Sequence, residues 1–349
     1  MQKERYYEYD VVRIILTILV VIGHAIPISI STWLGGIEYD KLTIAAGYSV
    51  AQIQNILETV SKWIYSFHMP AFFVLSGALF ARHINDTFKT VLKSRAKRLL
   101  IPYAVFGVYS IVIKLLSGTY TNISFLGLLQ ATFIPIRTHM WFVLCLFVVI
   151  LIVRGIERHV SNNIVKVAIF VVMYITGITI GYILPFGNPL KYALWFWIGL
   201  KLFEPKTGKI IELIRKNKTI VFLPVSILVH AVSFVLFVMT GMDNECNPIA
   251  SLAGTIAVFA ISVAVCKIMS DAAKRRAANI SDMCFGIYLL SDPLNYPIQA
   301  AAYAVFGAPL YAESAGVAAL FVVRSIFTGG ISAALTASWK NIKKGKQKK

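Results

Sequence analysis

Residues 11–31 read VVRIILTILVVIGHAIPISIS, a run in which Arg13 and His24 are the two ionisable side chains. A helix of about 20 residues crosses the ~30 Å hydrocarbon core of a bilayer, because each residue adds about 1.5 Å. The run is long and has no convincing small-residue cleavage site, so we interpret it as a retained membrane span rather than a signal peptide.

Nine further apolar runs follow, separated by polar or charged connectors. Together the runs predict ten transmembrane helices, at Val11 to Ser31, Trp63 to Ala81, Leu99 to Ser117, Met140 to Val153, Val165 to Leu184, Pro189 to Phe203, Ile220 to Thr240, Ile249 to Cys266, Met283 to Phe306 and Ala315 to Ala337. The fourth and sixth runs are short, so their ends are the least well defined. The predicted fold class is all-α, a polytopic helical bundle in a membrane.

The composition of the whole chain agrees with this prediction. Of the 349 residues, 58% are hydrophobic and 14% are charged, whereas a soluble domain has about 25% charged residues. This excludes a soluble globular protein, which needs more polar side chains to coat its surface. The net charge of +18 is also typical of nucleic-acid binding, so the positions of the basic residues must decide between the two interpretations.

The basic residues mark one side of the membrane. Of the 34 Lys and Arg residues, 27 lie in both termini and in the alternate connectors 82–98, 154–166, 201–218 and 267–276. Since positive charge concentrates in cytoplasmic loops, we expect a multi-pass protein of the cell membrane with both termini cytoplasmic. Residues 1–340 form the predicted membrane domain. The basic tail, residues 341–349, is predicted to meet anionic membrane lipids rather than nucleic acid.

The cysteine pattern gives no sign of a disulfide framework or of a metal site. Cys145, Cys266 and Cys284 fall within or beside spans, and Cys246 is on the outer side. No CxxC or HExxH pattern occurs, so no metal is predicted.

Ionisable residues within spans are costly and usually face an interior cavity. Arg13 and His24 are eleven residues apart, within ~20° of three helical turns, so they share one helix face about 16 Å apart. Arg13 lies near the predicted cytoplasmic mouth and His24 lies deep, which suits a ligand with an anionic end and a distant reactive end. The alternatives are a snorkelling Arg13 and a His24 that packs between helices.

Arg95 and Arg98 stand three residues apart at the predicted cytoplasmic start of the third span. Two guanidinium groups at this spacing are neighbours on a helix and suit bidentate phosphate recognition. Ordinary positive-inside charge explains the same run, and the sequence leaves both interpretations open.

Three other residues lie at the outer level. His68 in the second span has a depth similar to that of His24, and the alternative is a histidine that orients a helix start. His139 and Trp141 stand at the outer end of the fourth span, where an aromatic belt is common. Ser76-Gly77-Ala78, which follows His68 in the second span, is a small-residue patch that favours helix packing.

Asp292 is a carboxylate well inside a span, followed by Pro293 and Pro297. Because proline removes backbone donors, we expect a bent helix and a cavity wall there. Lys114, His230 and Arg324 are interpreted as snorkelling or packing residues.

Five motifs, in order along the chain, resemble those of the acyltransferase-3 family of membrane proteins, which is known for an Arg and a His separated by ten residues. They are Tyr9-Asp10-Val11-Val12-Arg13 with Gly23-His24; Phe67-His68-Met69-Pro70 with Ser76-Gly77; Arg95-Ala96-Lys97-Arg98 before Ile101-Pro102-Tyr103; Met140-Trp141-Phe142; and Ser281 with Phe285-Gly286-Ile287-Tyr288-Leu289-Leu290. In one departure, Ser291-Asp292 stands where many relatives have a histidine.

The resemblance implies transfer of an acyl group, usually acetyl, from cytoplasmic acetyl-CoA or another acyl-CoA to a hydroxyl of an envelope glycan or lipid-linked sugar. It assigns the anionic part of CoA to Arg13, Arg95 and Arg98, and the essential histidine to His24. Candidates for the substrate cavity are His68, His139, Trp141, Tyr288 and Asp292. A neutral histidine suits general-base work near neutral pH, but an acyl-carrying histidine stays open. With no hydrolase-like domain appended, we expect the membrane body to deliver the acyl group directly.

Two other classes of function remain possible on the sequence. A membrane transporter or glycan flippase also has about ten spans, but proton-coupled transporters often carry several intramembrane carboxylates, and here Asp292 stands alone. A non-enzymatic scaffold or sensor leaves the pairing of Arg13 with His24 unexplained.

Overall fold

The computed structural model describes residues 5–32, 35–120, 124, 139–181, 187–241 and 247–346. Its elements in chain order are α1 (Tyr7–Ala25), β1 (Ser29–Thr32), β2 (Gly35–Glu38), α2 (Tyr39–Ala45), α3 (Ile53–Tyr65), α4 (His68–Phe80), α5 (Phe88–Arg95), α6 (Ile101–Leu116), α7 (Trp141–His159), α8 (Asn163–Gly181), α9 (Gly187–Leu202), α10 (Lys209–Leu213), α11 (Thr219–Met239), α12 (Pro248–Ile268), α13 (Asp271–Ser281), α14 (Cys284–Phe306), α15 (Pro309–Ala312) and α16 (Ser314–Lys346). A π-helical turn, Ala96–Leu100, joins α5 to α6.

The chain divides into two compact units. The first unit comprises Met1–Leu16, Trp63–Ile101 and Phe142–Ser281, and the second comprises Thr17–Lys62, Pro102–Trp141 and Asp282–Lys349. Helix α1 contributes its first half to the first unit and its second half to the second.

Within the described residues, six helical stretches are long and apolar enough to cross a membrane: Ile53–His83, Phe88–Leu116, Asn163–Ile180, Val221–Met239, Pro248–Ile268 and Ser314–Ile342. The all-α membrane fold agrees with the sequence. The other four predicted spans correspond to α1, α7, α9 and α14, which are shorter or carry more polar side chains. The total of ten spans and the cytoplasmic termini therefore stay predictions.

The predicted end of the first span is wrong by six residues. Helix α1 ends at Ala25, and residues 29–32 form β1 instead. Pro27 disfavours continued helix because it lacks an N–H donor and restricts the residue before it. Strand β1 pairs antiparallel with β2, with Ser29 opposite Glu38.

The first unit is built around the close approach of α4 and α9. A Cβ at Gly77 would lie 1.9 Å from the carbonyl oxygen of Phe196, and one at Gly199 would lie 2.0 Å from that of Val74. Only glycine permits this backbone contact, which is typical of small-residue helix packing in membranes. The packing role predicted for the small-residue patch at Gly77 is confirmed.

In the second unit, α14 packs along α16. A Cβ at Gly286 would lie 2.6 Å from Thr336, so the helices approach closely at this level. At the other end of α14, the ring of Tyr39 lies 5.0 Å from both Tyr303 and Tyr311. Helix α14 therefore contacts neighbouring elements near both of its ends. Helix α16 continues to Lys346, and residues 347–349 of the predicted tail lie outside the described residues.

Candidate active site

The candidate site is centred on Asp292, which α14 places in the interior of the second unit with 12% of its side chain exposed. Its Oδ1 lies 3.7 Å from Nδ1 of His24. Its Oδ2 lies 3.1 Å from Nδ1 of His139. Three residues that are distant in the sequence are therefore brought together around one carboxylate.

His139 is held by two contacts besides Asp292. Its Nε2 lies 3.3 Å from the carbonyl oxygen of Leu289, and the hydroxyl of Tyr288 donates a hydrogen bond to the carbonyl of His139. A carbonyl oxygen only accepts, so Nε2 must carry a hydrogen. Nδ1 then faces a carboxylate oxygen, and this approach is favourable when a proton lies on Nδ1 or on Asp292. The contact is thus a place where a proton can be held.

His24 lies in the last turn of α1, with its ring 6.4 Å from that of His139 and nearly perpendicular to it. Its Nδ1 is buried, while 17% of the side chain is exposed through other atoms. A carboxylate facing Nδ1 favours the tautomer with hydrogen on Nδ1, which leaves the lone pair on Nε2. This arrangement can accept a proton on Nε2 and stabilise the resulting imidazolium.

Two further groups approach the same carboxylate, and the sequence did not predict the role of either. Nζ of Lys114 lies 3.9 Å from Oδ2 of Asp292, and the hydroxyl of Tyr296 lies 3.5 Å from the same atom. Lys114 is 2% exposed, so it does not snorkel. The signal that could have identified it is a lysine within an apolar run.

Arg324 was also expected to be a snorkelling or packing residue, and with 1% exposure it is the packing alternative that holds. Its guanidinium donates hydrogen bonds to Oδ1 of Asn295 at 3.1 Å, to the carbonyl of Pro27 at 2.8 Å and to that of His24 at 3.3 Å. Carbonyls at a helix C-terminus lack helical partners and attract positive charge. Arg324 therefore fixes the end of α1 that carries His24.

The three arginines predicted to bind CoA all belong to the first unit. Nη1 of Arg13 donates a hydrogen bond of 2.8 Å to Ser281 and lies 3.9 Å from Asp10. Arg95 lies 5.2 Å above the ring of Phe80, and its Nε is buried without a hydrogen-bond partner. Arg98 is exposed. Of the three, Arg98 has the side chain most accessible to an anion from outside the protein.

His68 and Trp141 were the remaining candidates. His68 is buried in the first unit, where its Nδ1 donates a hydrogen bond of 2.8 Å to the carbonyl of Ile64 and its ring lies 4.7 Å from that of Tyr65. These contacts favour the alternative in which His68 orients the start of α4. Trp141 is the first residue of α7 and is partly exposed.

In the described part of the chain, no group of three or more His, Cys, Asp or Glu side chains is arranged so that it could hold a metal ion. Cys145, Cys266 and Cys284 are free thiols, and Cys246 lies outside the described residues.

The fold and the site together define a helical membrane protein with a histidine–carboxylate centre inside its helices. The sequence profile of the acyltransferase-3 family, described as an acyltransferase domain, matches residues 6–338. The chain belongs to that family, which makes it a membrane acyltransferase in general terms. No curated protein and no solved structure gives a significant match to it.

Proposed function

We propose that the protein is a membrane O-acyltransferase that moves an acetyl or related acyl group from cytoplasmic acyl-CoA to a hydroxyl of an envelope glycan or lipid-linked sugar. Membership of the acyltransferase-3 family supports the reaction class. The observation that carries the proposal is the distance of 3.7 Å between Oδ1 of Asp292 and Nδ1 of His24. This pairing gives one histidine a carboxylate partner and a basic nitrogen.

In the proposed reaction, Nε2 of His24 removes the proton of the acceptor hydroxyl. The hydroxyl oxygen forms a bond to the thioester carbonyl carbon, and the carbon–sulfur bond breaks. The thiolate of CoA leaves and takes the proton from the imidazolium, so the products are an ester and free CoA. Asp292 stabilises the imidazolium while it exists.

The donor would enter from the cytoplasmic side, and the positions of the basic connectors support the choice of that side. Arg13, Arg95 and Arg98 are the candidates for its phosphates, because guanidinium forks bind phosphate in two places at once. The buried and unpaired Nε of Arg95 supports this assignment. The same distribution of charge supports the cell membrane as the location, with both termini cytoplasmic.

The test is transfer of radiolabelled acetyl from acetyl-CoA to the envelope fraction of host cells, with ester-linked acetyl identified by mass spectrometry. His24→Ala should lower the rate by about 10²- to 10⁴-fold, the usual contribution of a general base. The matched control is His159→Ala, since His159 is exposed and bonds only to its own helix. Persistent transfer in His24→Ala protein that reaches the membrane in normal amount would overturn the assignment.

Two further outcomes bear on the alternatives. A mass increase of one acetyl group on His24 itself, trapped at short times by quenching near neutral pH, would mean that His24 carries the acyl group and is not only a base. A parent protein that labels no envelope fraction would favour the transporter or flippase.

A further inference from the structure

Lys114 is placed by the way in which α6 ends. The carbonyl of Lys114 accepts hydrogen bonds from the backbone N–H groups of Thr119 at 2.9 Å and Tyr120 at 3.3 Å. Gly118, the residue before Thr119, has a φ of 71°. This is a left-handed conformation that glycine adopts most easily. The turn reverses the chain, so that the ring of Tyr120 lies 5.7 Å from Nζ of Lys114.

The ammonium group of Lys114 is enclosed on several sides. The ring of Tyr296 lies 4.6 Å from Nζ, and Asp292 lies 3.9 Å away. A buried ammonium is strongly unfavourable without a counter-charge. Asp292 supplies that counter-charge, and the two aromatic rings provide cation–π contacts.

Four helices and two adjoining segments contribute charged or titratable groups to the surroundings of Asp292. They are His24 from α1, Lys114 from α6, Tyr120 from the turn after it, His139 before α7, Tyr288, Asp292 and Tyr296 from α14, and Arg324 from α16. Among these groups Asp292 is the one carboxylic acid. Without Lys114, the negative charge of Asp292 would draw a proton onto the histidine that must start the reaction unprotonated.

We propose that Lys114 is a positioning residue that acts through Asp292: its positive charge balances the carboxylate, so that His24 stays unprotonated and ready to accept the hydroxyl proton. The inference rests on the proposed function of His24 as a base. It extends that function to a residue on another helix that touches neither substrate nor the reacting nitrogen.

The direct test is the pH profile of acetyl transfer by Lys114→Met protein. Methionine has a similar length and no charge, so the pH at which activity is half lost on the acidic side should rise by about one unit. Lys191→Met is the matched control, since Lys191 is also a buried lysine over a tyrosine ring but belongs to the first unit. An unchanged profile in Lys114→Met would overturn the inference.

A second readout does not depend on transfer. Diethyl pyrocarbonate acylates unprotonated histidine, and the pH midpoint of His24 modification can be followed by mass spectrometry. Lys114→Met should raise that midpoint by a similar amount. If the midpoint rises although the parent protein transfers no acetyl group, the proposed function fails while the charge balance stands. If the parent transfers acetyl and the midpoint does not move, the role of Lys114 fails alone.

If the Lys114→Met protein does not fold, a comparison of thermal stability tests the same pairing of Lys114 with Asp292. Asp292→Asn leaves Lys114 buried without a counter-charge, so the double variant Lys114→Met with Asp292→Asn should have a higher thermal midpoint than Asp292→Asn alone. A double variant that is less stable than Asp292→Asn would contradict the pairing of the two residues.

Discussion

Two largely buried carboxylates, Glu157 in the first unit and Asp292 in the second, differ in their partners and in the distances to them. Glu157 accepts hydrogen bonds from Lys201 at 2.7 Å, Trp197 at 2.7 Å and Lys166 at 3.2 Å. Around Asp292 the shortest approach is 3.1 Å, and the others are 3.5 to 3.9 Å.

The difference is the one expected between a structural carboxylate and a carboxylate with the chemical role proposed for Asp292. Both oxygens of Glu157 are paired, and its partners tie α7 to α8 and α9, so little is gained by moving a proton there. The partners of Asp292 include two histidines, whose ring nitrogens can each either donate or accept a hydrogen. Three of the four contacts with Asp292, at 3.5 to 3.9 Å, are longer than an ordinary hydrogen bond. These groups can therefore move closer or exchange a proton as a reaction proceeds. Four substitutions can break or sharpen this comparison.

Replacing Asp292 with Asn should have the largest effect. The imidazolium of His24 would lose its stabilising charge, and Nδ1 would lose the partner that sets its tautomer, so acetyl transfer should fall by about 10²- to 10⁴-fold. The assay is labelled acetyl transfer at equal membrane abundance. Retention of more than a tenth of the parent rate would remove Asp292 from the mechanism.

Arg324→Met should have a smaller effect on transfer, of about 10- to 100-fold, because Arg324 holds the carbonyls at the end of α1 and misplacement of His24 by about 1 Å is costly. Diethyl pyrocarbonate modification of His24 should become faster as its surroundings loosen. An unaltered modification rate together with an unaltered transfer rate would show that the end of α1 is fixed by other contacts.

Glu157→Gln should lower stability and leave transfer unchanged within about twofold. Partial burial tends to raise the pKa of Glu157, but hydrogen bonds from Lys201, Trp197 and Lys166 more than offset this and hold its pKa below the ordinary value. The ionised form therefore adds stability above about pH 4.3, and this contribution is lost as the pH falls through the lower folded-state value.

At pH 7 the thermal midpoint of solubilised Glu157→Gln protein should be about 2–6 °C below that of the parent. The gap should close as the pH is lowered below about 4.3, where the unfolded chain no longer carries the charge. A gap that is constant from pH 7 to pH 3 would mean that the loss comes from packing and not from the charge.

Glu212→Gln should have the smallest effect. Glu212 pairs with Lys216 at 2.5 Å on an exposed helical surface, where 52% and 70% of the two side chains are exposed. Exposed pairs of this kind contribute little, so the thermal midpoint should change by less than about 1 °C. A loss as large as that of Glu157→Gln would show that burial does not distinguish the two carboxylates.

Most of the candidate site could be named from the sequence, but its assembly could not. His24, His139, Tyr288 and Asp292 were each identifiable as polar residues in or beside apolar runs. That His24 and His139 face one carboxylate depends on three segments that lie more than a hundred residues apart. The sequence left Lys114 and Arg324 between snorkelling and packing, because a lone cation in a span often snorkels toward the interface and sequence position does not reveal depth of burial.

The sequence by itself determined the all-α membrane fold, because runs of apolar residues long enough to cross a bilayer leave the backbone no other way to satisfy its hydrogen bonds in lipid. Pro27 supplies a local reason for the first helix to end before residues 29–32, although the predicted span ran on to Ser31. Only the tertiary structure decided which buried charges meet. The pairing of Asp292 with His24, His139 and Lys114 arises from helix packing, in which contacts between distant segments depend on the shapes of whole helix faces.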